Sequence, residues 1–176
     1  HPSLELAGLL VYDPEKERVD AGTLCGEEPT GITATTDRAA ILALDADCVL
    51  YMPRALDLDD VVALLEHGTN VVTTCGEFVD DGRPLGEEQR ARVLDACARS
   101  GASVFATGSS PGFITAQLPF ALLSLQRRVD SIEIEEFADL SQRDSPHLLF
   151  EQMGYGRSPD SFSANRSAHL QGEIGR

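Results

Sequence analysis

Short apolar runs alternate with amphipathic segments along most of this chain. The apolar runs are rich in β-branched residues and predict strands at 4–12, 32–36, 48–52, 70–74 and 103–107. Helical spacing of apolar positions, with capping Asp and terminating Gly residues, predicts helices at 38–44, 61–67, 87–100 and 113–127, and residues 15–24 have weak helical character. Strands that alternate with helices predict an α/β fold with a Rossmann-like, doubly wound parallel sheet and right-handed crossovers.

The pattern changes near residue 129. Residues 129–138 alternate apolar and polar side chains, as in Ile132-Glu-Ile-Glu135, which predicts a half-exposed strand of a second, antiparallel-type sheet. A short amphipathic helix is predicted at 146–153. We therefore expect residues 1–128 to form the Rossmann-like domain and residues 129–176 to begin an α+β substrate and oligomerisation domain.

The start of the chain lacks the phosphate-binding signature of a dinucleotide fold. Such a fold opens with a strand, the pattern G-x-G-x-x-G and a helix, and nothing of this kind precedes Leu4. Either the fold is a different one, or the first strand, the phosphate loop and the first helix lie outside these 176 residues. Because the chain opens at His1-Pro2 and not at Met, we expect the second: a domain with its first strand missing, and by itself a poor catalyst.

Charge narrows the classes of partner. The 29 acidic and 14 basic residues give a net charge of -15, which disfavours nucleic acid and anionic membrane surfaces, because both attract clustered Lys and Arg. No apolar run approaches the roughly 18 residues that a membrane span needs, and no signal-peptide pattern opens the chain. The cysteines form no C-x-x-C pair, so no metal site is predicted, and buried reduced thiols of a cytoplasmic protein are expected.

In an open parallel sheet, ligands bind outside the carboxyl ends of the strands. The residues expected at that edge, as cofactor contacts, are Asp13, Met52, Pro53, Cys75, Gly76 and Gly108. Asp13 is a candidate to hold the ribose hydroxyls of a dinucleotide, and a simple Asp-Pro turn that ends the strand is an equal alternative. Arg18 is close enough in sequence to contact a 2′-phosphate, so the choice between NAD and NADP stays open.

Glu77 is the strongest catalytic candidate. It follows Gly76 at the end of the central predicted strand, where apolar neighbours would partly desolvate a carboxylate and raise its pKa toward values useful in acid–base catalysis. The same group can hold a cationic amine. The alternative is a solvated loop acid before Asp80-Asp81. If strands 70–74 and 103–107 are neighbours, Glu77 and Phe113 face one pocket.

Gly108-Ser-Ser-Pro-Gly112 matches the G-x-S-x-G pattern of hydrolases, with Ser110 as the nucleophile. The residue after that serine is Pro111, which has no N–H to offer an oxyanion hole, so the hydrolase interpretation is weak. A glycine-rich turn that approaches a cofactor suits these residues better. Ser110, Phe113 and Phe137 are candidate substrate-pocket residues, although core packing is the commoner role of a phenylalanine.

Four stretches together resemble one family: His1-Pro-Ser-Leu-Glu-Leu6, Asp20-Ala-Gly22, Val71-Val-Thr-Thr-Cys-Gly-Glu77 and Ala106-Thr-Gly-Ser-Ser-Pro-Gly-Phe113. They are similar to the 2,4-diaminopentanoate dehydrogenases and native amine dehydrogenases, which are similar in fold to dihydrodipicolinate reductases. The resemblance implies an NAD(P)-dependent oxidoreductase that deaminates an amine or aminates a ketone. It places the family's catalytic glutamate at Glu77 and its aromatic pocket wall at Phe113. Ser110 departs from the Asn that the family often has before Pro-Gly-Phe.

Two alternatives to this function stay open. One is a dihydrodipicolinate reductase-like enzyme, although the chain has no His-His or Lys-rich motif of the kind expected there. The other is a noncatalytic nucleotide-binding domain that keeps the sheet without the chemistry. From the resemblance we expect NADP or NAD as the cofactor, a small amine or ketone as the substrate, and a cytoplasmic homodimer.

Overall fold

A computed structural model of the protein describes residues 3–53, 55–135, 137 and 139–158, without the side chains of 109–111, 116 and 152. The chain forms two compact units, residues 1–105 and 106–176, and each is described by itself. The predicted domain boundary at residue 128 stays a prediction. No helix among the described residues is long and apolar enough to cross a membrane.

Strands and helices alternate up to residue 106, as predicted. The strands are β1 Leu9–Leu10, β2 Ala34–Thr35, β3 Cys48–Tyr51, β4 Asn70–Thr73 and β5 Val104–Ala106. The helices between them are α1 Ala21–Cys25, α2 Arg38–Leu42, α3 Leu58–Glu66 and α4 Glu87–Ser100. Short 3-10 turns lie at Pro14–Lys16, Gly76–Phe78 and Arg83–Leu85.

The described strands form a two-stranded and a three-stranded sheet. β1 pairs with β2 in parallel, with Leu9 opposite Ala34. β4 lies between β3 and β5, and its pairing with β3 is parallel, from Cys48 opposite Asn70 to Tyr51 opposite Thr73. The strands are therefore arranged as the alternating sequence pattern predicts, and the expectation that β4 and β5 are neighbours is confirmed.

Capping side chains set where the helices begin and end. Asp37 caps α2 by accepting a hydrogen bond from the Ala39 N–H at 2.9 Å, and Asp57 caps α3 through the Asp59 N–H at 3.1 Å. Gly101 ends α4 with a left-handed φ of 79° that glycine adopts without a side-chain clash. The start predicted for α2 and the end predicted for α4 are confirmed, whereas α3 begins three residues before the predicted residue 61.

The core of the first unit lies where α3 packs on α4 and β4. Val61 and Leu65 on α3 and Ala96 on α4 have no exposed surface, and Val71 on β4 is 1% exposed. Burial of such apolar surface is the main stabilising contribution to a domain of this kind. This core fixes β4, the strand that leads to Glu77, against the two helices.

The first predicted strand is much shorter than expected. Ladder pairing in the region 4–12 is confined to Leu9 and Leu10, and both Leu4 and Leu6 are exposed. An apolar run forms a strand only where a neighbouring strand accepts its backbone hydrogen bonds. The described partner, β2, offers two residues, so the rest of the run is left outside the ladder.

The second unit departs most from the sequence prediction. The expected buried helix at 113–127 is instead a π-helical segment, Ser109–Gln117, followed by α5, Leu118–Leu123. Phe120 is 67% exposed and Leu125 is 78% exposed, so the predicted burial is wrong for the described residues. The change from π- to α-helical bonding coincides with Pro119, whose missing N–H interrupts any backbone ladder.

The alternating stretch after residue 129 is also different. Residues 129–135 contain no strand, and Ile132 and Ile134 are 52% and 46% exposed; residues 136 and 138 of the predicted strand lie outside the described residues. Alternation predicts a strand only when a partner strand is available to pair with it. A second π-helical segment, His147–Gln152, takes the place of the amphipathic helix predicted at 146–153.

Candidate active site

The candidate site is built around the end of β4. Thr73, the last residue of β4, is fully buried, and its hydroxyl accepts a hydrogen bond from the Cys75 N–H at 3.0 Å. The Cys75 carbonyl then accepts from the Phe78 N–H at 3.2 Å, which closes the 3-10 turn Gly76–Phe78. The turn that carries Glu77 is therefore tied directly to the carboxyl end of the central strand.

Glu77 and Phe78 point to different environments. Phe78 is 7% exposed, whereas Glu77 is exposed, in contrast to the partial desolvation that the sequence predicts. The exposed carboxylate is accessible to a charged substrate, and the buried ring anchors the turn in the first unit. The role of Glu77 as a catalytic group stays a prediction.

The neighbours of Glu77 leave space at the strand end. Burial raises the pKa of the Cys75 thiol, and the negative charge of Glu77 adds to the effect, so this thiol is neutral near pH 7. Apart from Gly76 itself and its chain neighbours Cys75 and Glu77, no atom of the described residues lies within 4 Å of the place that a Cβ on Gly76 would occupy. The backbone at Gly76 is therefore open to the approach of a ligand.

Tyr51 is the last residue of the neighbouring strand, β3, and the sequence pattern does not predict it as a site residue. Its side chain is 6% exposed, and its hydroxyl both donates to the Asp57 carbonyl and accepts from the Asp57 N–H, each at 3.1 Å. Burial is the main reason that the pKa of Tyr51 rises to about 12. The following residues of the predicted cofactor edge are an exposed Met52 and a half-buried Pro53.

Asp13 begins the first 3-10 turn. Its carboxylate accepts a hydrogen bond from the Glu15 N–H at 3.0 Å, so the Asp-Pro turn considered in the sequence analysis is present. The residue is exposed, which leaves the ribose role untested. Arg18 is exposed as well, and its backbone adopts a left-handed φ of 65° while its N–H donates to the Ala34 carbonyl at 2.8 Å.

An arginine at the start of α2 joins two helices near this edge. The Arg38 guanidinium lies 2.7 Å from the Asp60 carboxylate and 3.2 Å from that of Asp57. Its hydrogen bond to Asp57 is the largest cause of the raised pKa of Arg38. Burial raises the pKa of Asp60. Sequence gives little sign of this cluster, because 19 and 22 residues separate its pairs.

The remaining candidates belong to the second unit. The Gly108 carbonyl accepts from the Phe113 N–H at 2.7 Å, which starts the π-helical segment. Phe113 is 50% exposed and Phe137 is 90% exposed, and the side chain of Ser110 lies outside the description. The expectation that these residues line the pocket of Glu77 stays a prediction.

Metal-binding groups and cysteine thiols also bear on the chemistry of the site. In the described part of the chain, no group of three His, Cys, Asp or Glu residues is placed to hold a metal ion. All four cysteines are free thiols, and Cys25 and Cys48 are exposed, so their predicted burial is wrong. Cys75 and Cys97 are partly buried, in line with the expectation.

The chain is similar to amine dehydrogenases in sequence and in structure. No family model matches the chain. The chain is 33% identical over 167 residues to an amine dehydrogenase of Streptomyces virginiae. The match covers 91% of this chain and 46% of that protein, so the chain spans about half the length of this curated relative. The structure of an amine dehydrogenase from Mycobacterium smegmatis has a TM-score of 0.57 and 23% identity, and the match covers 71% of this chain and 38% of that one. This likeness confirms the predicted Rossmann-like α/β fold.

Proposed function

Since this chain is related to the amine dehydrogenases, as its strand-end motifs predicted, we propose that the protein is an NAD(P)-dependent oxidoreductase that acts on carbon–nitrogen bonds. It deaminates a small amine oxidatively and aminates the ketone in reverse. The observation that carries this proposal is the exposed carboxylate of Glu77 on a turn fixed at the carboxyl end of β4. In parallel sheets, that edge is where ligands bind.

Glu77 has the chemistry that oxidative deamination needs. A carboxylate binds a substrate ammonium by a charge-assisted hydrogen bond, and it accepts a proton from the substrate nitrogen as the neighbouring carbon loses a hydride. The resulting iminium adds water and releases the ketone and ammonia. The cofactor supplies the hydride acceptor when bound, and the protein supplies orientation and charge.

The residues at the strand ends fit a nicotinamide cofactor, NADP or NAD. The open space at Gly76 and the exposed side chain of Met52 offer an apolar, unobstructed edge. The neutral Cys75 thiol adds no charge there. Asp13 is the proposed contact for the ribose hydroxyls, and Arg18 is the proposed contact for a 2′-phosphate if the cofactor is NADP.

The proposal extends to the second unit and to the assembly. Ser110, Phe113 and Phe137 are the proposed substrate-pocket residues, and the exposed rings of the two phenylalanines are available to a partner or substrate. We propose a homodimer in the cytoplasm, where free thiols such as Cys25 and Cys48 stay reduced. Light scattering on the purified protein tests the assembly, and a monomer at micromolar concentration would remove that part.

Amine-dependent formation of reduced cofactor by the complete protein tests the central proposal. Glu77→Gln keeps the size of the side chain and removes its charge, so we expect kcat/KM to fall by about 100-fold or more, as for loss of a general base. Glu87→Gln makes the same change at an exposed position in the first turn of α4 and serves as the control. Unchanged turnover in Glu77→Gln would refute the catalytic assignment, and cofactor binding without turnover of any amine would favour the noncatalytic alternative.

A further inference from the structure

The segment between β4 and α4 connects the candidate catalytic residue to the rest of the first unit. It contains the turn Gly76–Phe78 with Glu77 and the second turn, Arg83–Leu85. The two turns pack against each other, and the second also packs against α4. The position of Glu77 therefore depends on how this segment is held.

The middle of the segment follows an unusual backbone path. Asp80, Asp81 and Gly82 are consecutive and have φ values of 55°, 59° and 72°. Left-handed backbone is natural for glycine, but it is disfavoured for residues that carry a Cβ. Two aspartates in a row keep this conformation only where surrounding contacts hold them.

Arg90 provides such a contact from the start of α4. Its Nε donates to the Asp81 carbonyl at 2.7 Å, and its Nη2 pairs with the Asp81 carboxylate. One planar guanidinium thus binds the backbone and the side chain of the same residue, which a lysine ammonium reproduces poorly. The Arg90 side chain is 34% exposed and that of Asp81 is 70% exposed, so the arginine is the partly buried partner and the carboxylate faces water.

Phe78 holds the other end of the segment. Its ring, 7% exposed, lines a mainly apolar cleft between the segment, α4 and the beginning of β5. The apolar walls of this cleft are Phe78, Leu85, Val93, Leu94, Cys97 and Val104. Asp81 and Arg90 line the same cleft, so the ring and the ion pair belong to one region of the first unit.

We propose that Arg90 is a positioning residue for Glu77. By binding Asp81, Arg90 stabilises the left-handed backbone of residues 80–82, and this backbone keeps Phe78 in its cleft. Glu77 precedes Phe78 in the same turn and is thereby fixed at the end of β4. This inference rests on the proposed function of Glu77. Arg90 itself touches neither the turn Gly76–Phe78 nor the substrate in this scheme, and acts through Asp81.

A double-mutant cycle in the whole enzyme tests the inference. We expect Arg90→Gln to lower kcat by roughly 10- to 100-fold, as for a misplaced catalytic group, with the KM for the cofactor unchanged. In the Glu77→Gln background the same change should have almost no further effect, because the group that it positions is gone. Arg90→Lys should recover only part of the loss. Arg92→Gln is the matched control, since Arg92 lies on the same helix and pairs with Asp59.

A loss of equal size in both backgrounds would mean a general structural role and would overturn the inference. Unchanged turnover in Arg90→Gln, with Glu77→Gln impaired, would overturn it as well.

Amide hydrogen exchange gives a readout that does not depend on activity. The amides of residues 77–82 should exchange faster in Arg90→Gln and not in Arg92→Gln. Equal protection of these amides in the two variants would show that Arg90 does not hold the segment. If Glu77→Gln turns over normally, the proposed function fails and with it the catalytic part of this inference, whereas exchange still decides whether Arg90 holds the segment.

Discussion

Removal of the Tyr51 hydroxyl is expected to destabilise the protein by an amount that depends on pH. In Tyr51→Phe, the N–H and the carbonyl of Asp57 lose their hydrogen bonds to the hydroxyl, each 3.1 Å long. Two neutral hydrogen bonds contribute about 1–3 kcal/mol together, and the start of α3 is only partly buried, so water can replace part of the loss and we expect about 1–2 kcal/mol at pH 8.

The pH dependence follows from the pKa of Tyr51, which burial raises from 10.0 to about 12. A raised pKa means that the folded state favours neutral tyrosine, so this stability is fully present below pH 10 and is lost as the pH rises toward 12. A difference of that size corresponds to at most about 2.7 kcal/mol, and solvent screening reduces it to about 1–2 kcal/mol. The difference between wild type and Tyr51→Phe should therefore shrink to near zero between pH 10 and pH 12.

Urea unfolding followed by far-UV circular dichroism measures this difference at a series of pH values. The subtraction of the two proteins removes the titration of the other tyrosines, the cysteines and the single lysine, because both proteins contain them. A difference in unfolding free energy that stays constant from pH 9 to pH 12 would refute the assignment of the raised pKa to the buried, doubly bonded hydroxyl.

Three further predictions concern the scaffold. Asp20→Asn should destabilise the protein above about pH 4 but not in stronger acid, because backbone N–H groups, first that of Thr30 and then that of Gly31, lower the pKa of Asp20 below 3.8; thermal melts that differ equally at pH 3 and pH 7 would contradict this. Gly22→Ala should cost about 1–3 kcal/mol, since its Cβ would lie 2.0 Å from the Glu28 carbonyl oxygen; unchanged urea unfolding would show that the loop yields freely. Leu65→Ala should cost about 2–5 kcal/mol because Leu65 is 0% exposed, and a loss below 1 kcal/mol would place it outside the core.

Sequence predicts the elements whose signals are local. The boundaries predicted for α4, residues 87–100, agree with the structure, because its apolar stripe and the glycine after it lie within the helix and its own end. The strand β4 is one residue shorter than predicted. Prediction fails where the outcome depends on a distant partner: the apolar residues at 113–127 predict burial, but burial needs a covering surface that the amino-acid pattern does not specify.

The candidate site shows the same division. Glu77 can be predicted as a candidate because glycine, a strand end and a carboxylate follow one another in the sequence. Tyr51 and Arg90 carry no such local signal, since their contacts depend on which backbone groups the fold brings to a hydroxyl or a guanidinium. The Asp80-Asp81-Gly82 run offered a signal in retrospect, because Asp and Gly are the residues that tolerate turns with left-handed backbone.

The core of the first unit is unevenly distributed along the chain, and this has a consequence for the order of folding. Apart from Ala21 and Ala34, the buried apolar side chains lie between Tyr51 and Ala102, so most core contacts join neighbours in sequence. Local contacts close short loops and form quickly, and we expect β3 through α4 to fold first as one cooperative nucleus, with β1 and β2 docking later. Pulse labelling that protected β1 first would contradict this order. The turn that carries Glu77 lies inside the nucleus, so the residue proposed for the chemistry is in place before the strand that leads to Asp13 is formed.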